Sequence, residues 1–332
     1  MIIFRKLIFF CLILLSYNAA ASDRIDTTKT HEITLYVIPT LHPLDWTSPS
    51  TLFRTMNDCY FKTIGVEDNY LLGHIAVQLN TPLLPAPLFL AQTSGSMKEK
   101  LDLMFKQKVG FGIIGAALHG RIEPEQEIKQ HLNTYAKRQK LSFLRYSVSE
   151  KAMQRILEFV DKYSRKMNDK YAPSDFYGGV LWPRYHCEGG GCSAFGMVLL
   201  ELINATPEHP EEWRKDVKIP MKIIGGEFNK GKKIKNRTIL KTTEWYTGDG
   251  KPNVDYSQYM VYEPSIMFDW IMKLRNQNDS VYKAFDDNGV PGLYIDVRNV
   301  QFDANEPLFM PRNEPNLFIE HYYKKIGITP SR

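Results

Sequence analysis

The chain has 332 residues, 43% apolar and 24% charged, with no low-complexity tract; this bounds it to a globular protein of one large or two modest domains and excludes a disordered or fibrous one. The formal net charge of +5 is spread along the length. Its densest cluster, Lys230, Lys232, Lys233, Lys235 and Arg237, reads as a solvated loop, so nucleic acid is not an expected partner.

In chain order, Arg5 and Lys6 precede an apolar run from Leu7 to Leu15 and the small residues Ala19, Ala20 and Ala21. This is the pattern of a secretory signal peptide over residues 1–21. The run is shorter than the ~20 residues a membrane span requires, so a soluble, exported protein with no stable span after cleavage is expected, in a periplasm or outside the cell. Cleavage removes Cys11 and leaves Cys59, Cys187 and Cys192. An odd number in an oxidising compartment leaves at least one thiol unpaired. A Cys59–Cys187 disulfide with Cys192 free is the most economical arrangement; Cys187–Cys192 with Cys59 buried is the other.

Residues 71–79 are apolar and rich in branched side chains, which predicts a strand, with Gly73 just before His74. A histidine at a strand's start is rigidly aimed, as a general base must be. Residues 87–93 predict the next strand. Residues 96–106 and 123–140 have helical apolar spacing with heavy charge, and Ser149 caps an amphipathic helix through residue 160. Between the first two, the glycine-bearing segment 109–120 reads as a buried connector, with a flexible lid or a lipid contact as the alternatives. Its glycines do not end in Gly-Lys-Ser/Thr, so no nucleotide loop is expected, and no cofactor is expected anywhere in the chain.

Trp182, Arg184 and Tyr185 supply aromatic and cationic groups for lining a cleft, with Arg184 a candidate for a substrate carboxylate or for an ion pair in the following turn. Gly189, Gly190 and Gly191 then deliver Cys192 to the start of an apolar helix over residues 193–203. Unpaired N–H groups and the positive end of the helix dipole lower a cysteine pKa from its free value near ~8.5. Gly191 leaves room for a substrate carbonyl beside the sulfur. His186 and Cys187 are near Cys192, but no second Cys/His cluster at matching spacing makes up a tetrahedral zinc site, so no metal is expected. Pro207 and Pro210 mark a boundary. Beyond it, short apolar runs at 218–224, 238–246 and 293–300 and one helix at 265–275 predict a strand-rich accessory region, 207–332, packed on a core formed by 22–206.

A Gly-His on a strand, a long insertion, and a glycine-rich approach to Cys192-Ser193-Ala194-Phe195 at a helix start resemble the circularly permuted branch of the papain-like, NlpC-type superfamily. That branch includes bacterial cell-wall amidases and the lecithin:retinol acyltransferase type. In it the histidine precedes the cysteine, as His74 precedes Cys192 here. The resemblance covers roughly residues 35–205. It implies an α+β fold with a central antiparallel sheet, the cysteine helix packed on it, and a third polar residue on the strand after the histidine strand. Gln92 is the candidate for that third position, orienting His74 through its ring N–H. The implied function is an exported thiol hydrolase. Cys192 attacks a carbonyl, His74 moves the proton, and the Cys192 N–H helps hold the oxyanion. The expected substrate is a peptide, such as a cell-wall peptide. Acyl transfer from a lipid, or a catalytically silent binding protein on the same fold, are the alternatives.

Overall fold

His31–Ile38 (β1) and His74–Asn80 (β2) pair antiparallel along their lengths, from Glu32 opposite Asn80 to Ile38 opposite His74. Their period of two splits the branched side chains between two faces. Ile33, Leu35, Val37, Ile75, Val77 and Leu79 enter one core, whereas Ile38 and Ala76 enter another. Both faces are therefore covered. The computed structural model describes residues 30–61, 70, 72–167, 170–313 and 315–327; the signal peptide expected over 1–21 lies outside the described residues.

The remaining strands are Leu88–Leu90 (β3), Gln92–Ser94 (β4), Leu118–Ile122 (β5), Ser142–Val148 (β6), Phe176–Tyr177 (β7), Arg214–Pro220 (β8), Tyr256–Tyr262 (β9), Lys283–Asp287 (β10) and Val290–Asp296 (β11). The helices are Pro49–Phe61 (α1), Met97–Leu101 (α2), Gly112–Gly115 (α3), Glu125–Lys137 (α4), Glu150–Ser164 (α5), Cys192–Glu201 (α6), Asn236–Leu240 (α7), Pro264–Leu274 (α8) and Leu317–Ile326 (α9). The fold is α+β, and its central sheet runs β10-β11-β6-β1-β2-β3. On one face α5, α6 and α8 contribute Ile156, Phe159, Phe195, Leu199, Met267 and Ile271 to a single core; on the other, α4 contributes Ile128, Leu132 and Tyr135.

Three sequence expectations change here. The central sheet is mixed, not antiparallel, because β11 runs parallel to β6. Parallel neighbours need a long crossover, and the chain between them includes α5, α6 and α8. Two strands beyond the Pro207 boundary thus extend the central sheet itself. Residues 238–246, read as a strand, carry the end of α7 and then irregular chain that buries Ile239 and Thr242. Residues 87–93 form two strands rather than one: β3 pairs with β2, and after Ala91 the chain leaves for a separate sheet in which β4 pairs with β5.

The expected helices at 96–106, 123–140 and 149–160 are present in shifted form. Ser96 caps α2 by accepting from the Glu99 N–H, and a wider-wound π-helical turn, Asp102–Gln107, continues it. Ser149 caps α5 through the Ala152 N–H. Segment 109–120 is a connector with Val109 and Phe111 buried.

Candidate active site

Cys192 and His74 are 118 positions apart in sequence, and two local features bring them together. The first residue of α6 meets the first residue of β2. The approach depends on Gly196, where a Cβ would lie 2.9 Å from Ile75 Cγ2, so any larger residue would push α6 off the strand. Gly189 acts in the same way upstream, since a Cβ there would come 1.9 Å from the Phe176 carbonyl oxygen. Cys192 and His74 stand side by side at this joint, close enough for the charge on each to shift the other, and both side chains are buried; the Ser193 hydroxyl lies 3.9 Å from the sulfur. Gly191 gives α6 no side-chain cap, and the first intrahelical bond runs from the Phe195 N–H to the Gly191 carbonyl. That leaves the N–H groups of Cys192, Ser193 and Ala194 outside the helical ladder, on the same end as the sulfur.

Behind the imidazole stands a carboxylate. Glu123 Oε2 lies 3.4 Å from His74 Nε2, an ion-pair contact whose N–H direction falls short of a full hydrogen bond. Pro124 disfavours the helical conformation at Glu123, so the residue continues the extended course of β5, with its N–H donating to the Ala91 carbonyl at 2.8 Å. The Tyr70 hydroxyl donates to the same Glu123 oxygen at 2.5 Å and meets His131 Nδ1 at 2.8 Å. The Tyr70 ring stacks on His74 with centroids 3.9 Å apart and planes 5° from parallel. Imidazole orientation is thus set from one edge by a carboxylate and over one face by a phenol.

The charges follow from this packing. Burial pushes the His74 imidazolium down, but the neighbouring Cys192 sulfur and the Glu123 carboxylate outweigh it and raise the group to about 9. Burial pushes the Cys192 thiol up, and the His74 charge and hydrogen bond, with the Ile75 backbone and Ser193, outweigh that and lower it below its ordinary value. Glu123 is held below the carboxylate range against its own burial by His74 and Tyr70. All three shifts run toward the charged forms, a thiolate beside an imidazolium with a carboxylate beyond it. Such a pair supplies a nucleophile and a proton donor together.

Gln92 is not the third member. Its amide donates to the carbonyls of Ser174 at 2.8 Å and Phe176 at 3.2 Å, within a tight space that Gly120 leaves open. The physical reason is the break at Ala91, which turns Gln92 away from the histidine strand and into the smaller sheet; Glu123, from β5 opposite, takes its place. Arg184 is not a substrate ligand either. It is 1% exposed, and its guanidinium donates to the Pro307 and Leu308 carbonyls and pairs with Glu201 and Glu306. The alternative of an ion pair in the turn holds in altered form: the acidic partners lie in α6 and near 306, and Glu188 binds Arg312 instead, at 2.6 Å. Among the described residues, neither expected disulfide joins Cys59, Cys187 and Cys192. Cys59 donates to the His42 carbonyl, and Cys187 packs against the Met167 sulfur.

Trp182, Tyr185 and Gly191 do line the cavity that reaches Cys192, which has a volume of about 650 Å³. Its wall is otherwise mainly apolar, with Leu44, Trp46, Met56, Met104, Ile114 and Val261. Tyr177, on β7, lines the cavity with Cys192, and Lys100 approaches the Tyr177 ring at 5.9 Å. Sequence reading missed Glu123 and Tyr70. Glu123 carried one signal, an acidic residue before a proline at a strand-to-helix junction, but nothing local tied it to His74. Among the described residues, no group of three or more His, Cys, Asp and Glu side chains is arranged to hold a metal ion, and no helix is long and apolar enough to cross a membrane. Comparison with known proteins gives no significant match to this chain among protein-family models, curated proteins or solved structures.

Proposed function

We propose that this chain is an exported cysteine hydrolase, of the circularly permuted papain-like kind, that works through Cys192, His74 and Glu123. The observation that carries the reading is the contact between the Cys192 sulfur and His74 at the joint of α6 and β2, backed by a carboxylate at 3.4 Å from the ring. In the proposed reaction the thiolate attacks a carbonyl carbon and forms a C–S bond. The oxyanion is received at the N–H end of α6. His74 gives its proton to the leaving nitrogen or oxygen as that bond breaks. Water then attacks the thioester while neutral His74 takes the water's proton and returns it to the sulfur, releasing a carboxylic acid. Glu123 keeps the ring oriented and stabilises its charged form.

A peptide amide, in a cell wall if the source is bacterial, is the favoured substrate. An ester or acyl-transfer reaction is the second reading. The apolar wall of the 650 Å³ cavity favours it, since that wall suits an acyl chain better than a charged peptide. A silent binding protein is less well supported, because the thiol is free and paired with a base. Thiol labelling across pH 5 to 9, followed by peptide mass spectrometry, tests the reading. Rapid labelling of Cys192 well below the ordinary thiol range, slowed in His74→Ala, is the expected result. Slow labelling that rises only near the free-cysteine value, in both proteins alike, would sink it.

A further inference from the structure

The face beside the cavity combines two features that the catalytic reading does not use. Along the helical segment 97–107, Met97, Leu101 and Phe105 are spaced by four residues and are 53%, 44% and 51% exposed. Met97 also borders the cavity, with Lys100 and Met104 of the same segment on its lining, so the exposed stripe adjoins the cavity. Such a stripe is costly in water and marks a surface that meets something apolar.

The second feature is charge. Lys108 ends the segment in the left-handed conformation, and its carbonyl accepts from the Ile234 N–H at 2.8 Å. That bond ties the stripe to the loop bearing Lys230, Lys232, Lys233, Lys235 and Arg237. All five, like Lys108, are exposed, and none forms an ion pair among the described residues. Nearby acids are few: Asp102 is paired with Lys106, Glu99 contacts His119, and Glu227 is exposed. An exposed apolar stripe flanked by uncompensated lysines suits an anionic lipid surface, where apolar side chains sink below the headgroups and ammonium groups meet phosphates. A nucleic acid would use the lysines and leave Leu101 and Phe105 in water.

We propose that this face, Leu101 and Phe105 with the 230–237 lysine loop, seats the protein on an anionic lipid bilayer with the cavity mouth beside the membrane. Seating does not require the thiol chemistry. The test is co-sedimentation of the full chain with phosphatidylcholine vesicles with and without phosphatidylglycerol. The proteins compared are wild type, Leu101→Asp/Phe105→Asp, Lys230→Glu/Lys232→Glu/Lys233→Glu, and Cys192→Ala. Any contribution of the N-terminal apolar run is common to all four. Each basic residue near an anionic surface is worth about a fivefold change in partition, so the triple reversal is expected to lower binding to the anionic vesicles by well over tenfold. The apolar pair is expected to lose at least about tenfold as well. Cys192→Ala is expected to bind as wild type does, which separates failure of this proposal from failure of the hydrolase reading. Equal binding of wild type and both surface variants to anionic vesicles would overturn the proposal. So would loss of vesicle and duplex-DNA binding in the lysine variant alone, with the apolar pair unaffected, which would assign the loop to nucleic acid.

Discussion

Two buried ionic groups lie within a few residues of each other, and they are built differently. In the first, Glu188 is fully buried and receives Arg312 through both of its oxygens, with Tyr323 donating to one of them at 2.7 Å; nearby Arg184 spends its donors on two carbonyls and two carboxylates. Charge and hydrogen bonds there are saturated. In the second, Glu123, His74 and Cys192 form a line whose last member, the sulfur, faces a cavity. The first arrangement holds the loop before α6 to the chain around 307–312. The second leaves a buried thiol, set beside a histidine, open to the cavity on one side. A buried charge serves stability when every partner is present and reactivity when one side is left open.

The comparison is broken most sharply at the sulfur. Cys192→Ala is expected to lower turnover at least about ten-thousandfold while leaving the thermal transition within a few degrees, since only a small buried group is lost. An inactive wild type, or a variant with full activity, would remove the sulfur from the reaction. Next in size is Glu188→Gln, expected to cost about 3 kcal/mol or more of stability, measured by denaturant unfolding, because the Arg312 charge stays buried without its partner. Its effect on the Cys192 labelling rate at a temperature where it is folded should be small. A large change in thiol reactivity would mean that the two groups are one network.

Glu123→Gln is expected to lower kcat by about a hundredfold, a fraction of what losing a nucleophile costs. The sign of its pH effect follows from the charges. In the proposed reaction, activity needs ionised Cys192 and protonated His74, so it is expected to rise as pH passes the lowered thiol value and to fall as pH passes about 9, where His74 loses its proton. Removing the Glu123 charge lowers the imidazolium value, so the alkaline limb should move to lower pH. An unmoved limb would show that Glu123 acts on the fold alone. The smallest effect is expected at Gln92. Gln92→Ala should reduce kcat less than about threefold, and it should cost about 1–3 kcal/mol of stability as the buried Ser174 carbonyl loses its donor. A hundredfold loss of kcat with unchanged stability would restore Gln92 to the site.

How much of this was legible in the chain varies with the range of the interaction. The Ser149 cap, the apolar run that becomes α6 and the alternating residues of β2 are local patterns, and each is present close to its expected position. Cys192 and His74 were singled out on the same footing, because a helix start and a strand start are local features with chemical consequences. Strand 290–296 was anticipated in part, but its parallel place beside β6 was not, since pairing direction depends on a crossover spanning much of the chain. Residues 238–246 misled because a short apolar run also suits a short helix and a buried turn.

The third member of the site shows the limit most clearly. The resemblance implied a polar residue on the strand after that of His74, which made Gln92 the candidate, and that inference assumed an unbroken strand from 87 to 93. The break at Ala91 sends β4 into another sheet, and Glu123 reaches His74 because β5 pairs with β4 there. Sequence by itself determined which residues are candidates to act: a thiol at the start of an apolar helix, an imidazole on a strand, and a lysine-rich loop. Only tertiary structure decided which carboxylate serves the imidazole, which arginine is locked away and which apolar residues stay exposed. Each of these depends on contacts between segments tens to hundreds of residues apart, set by sheet order and close backbone packing rather than by local propensity.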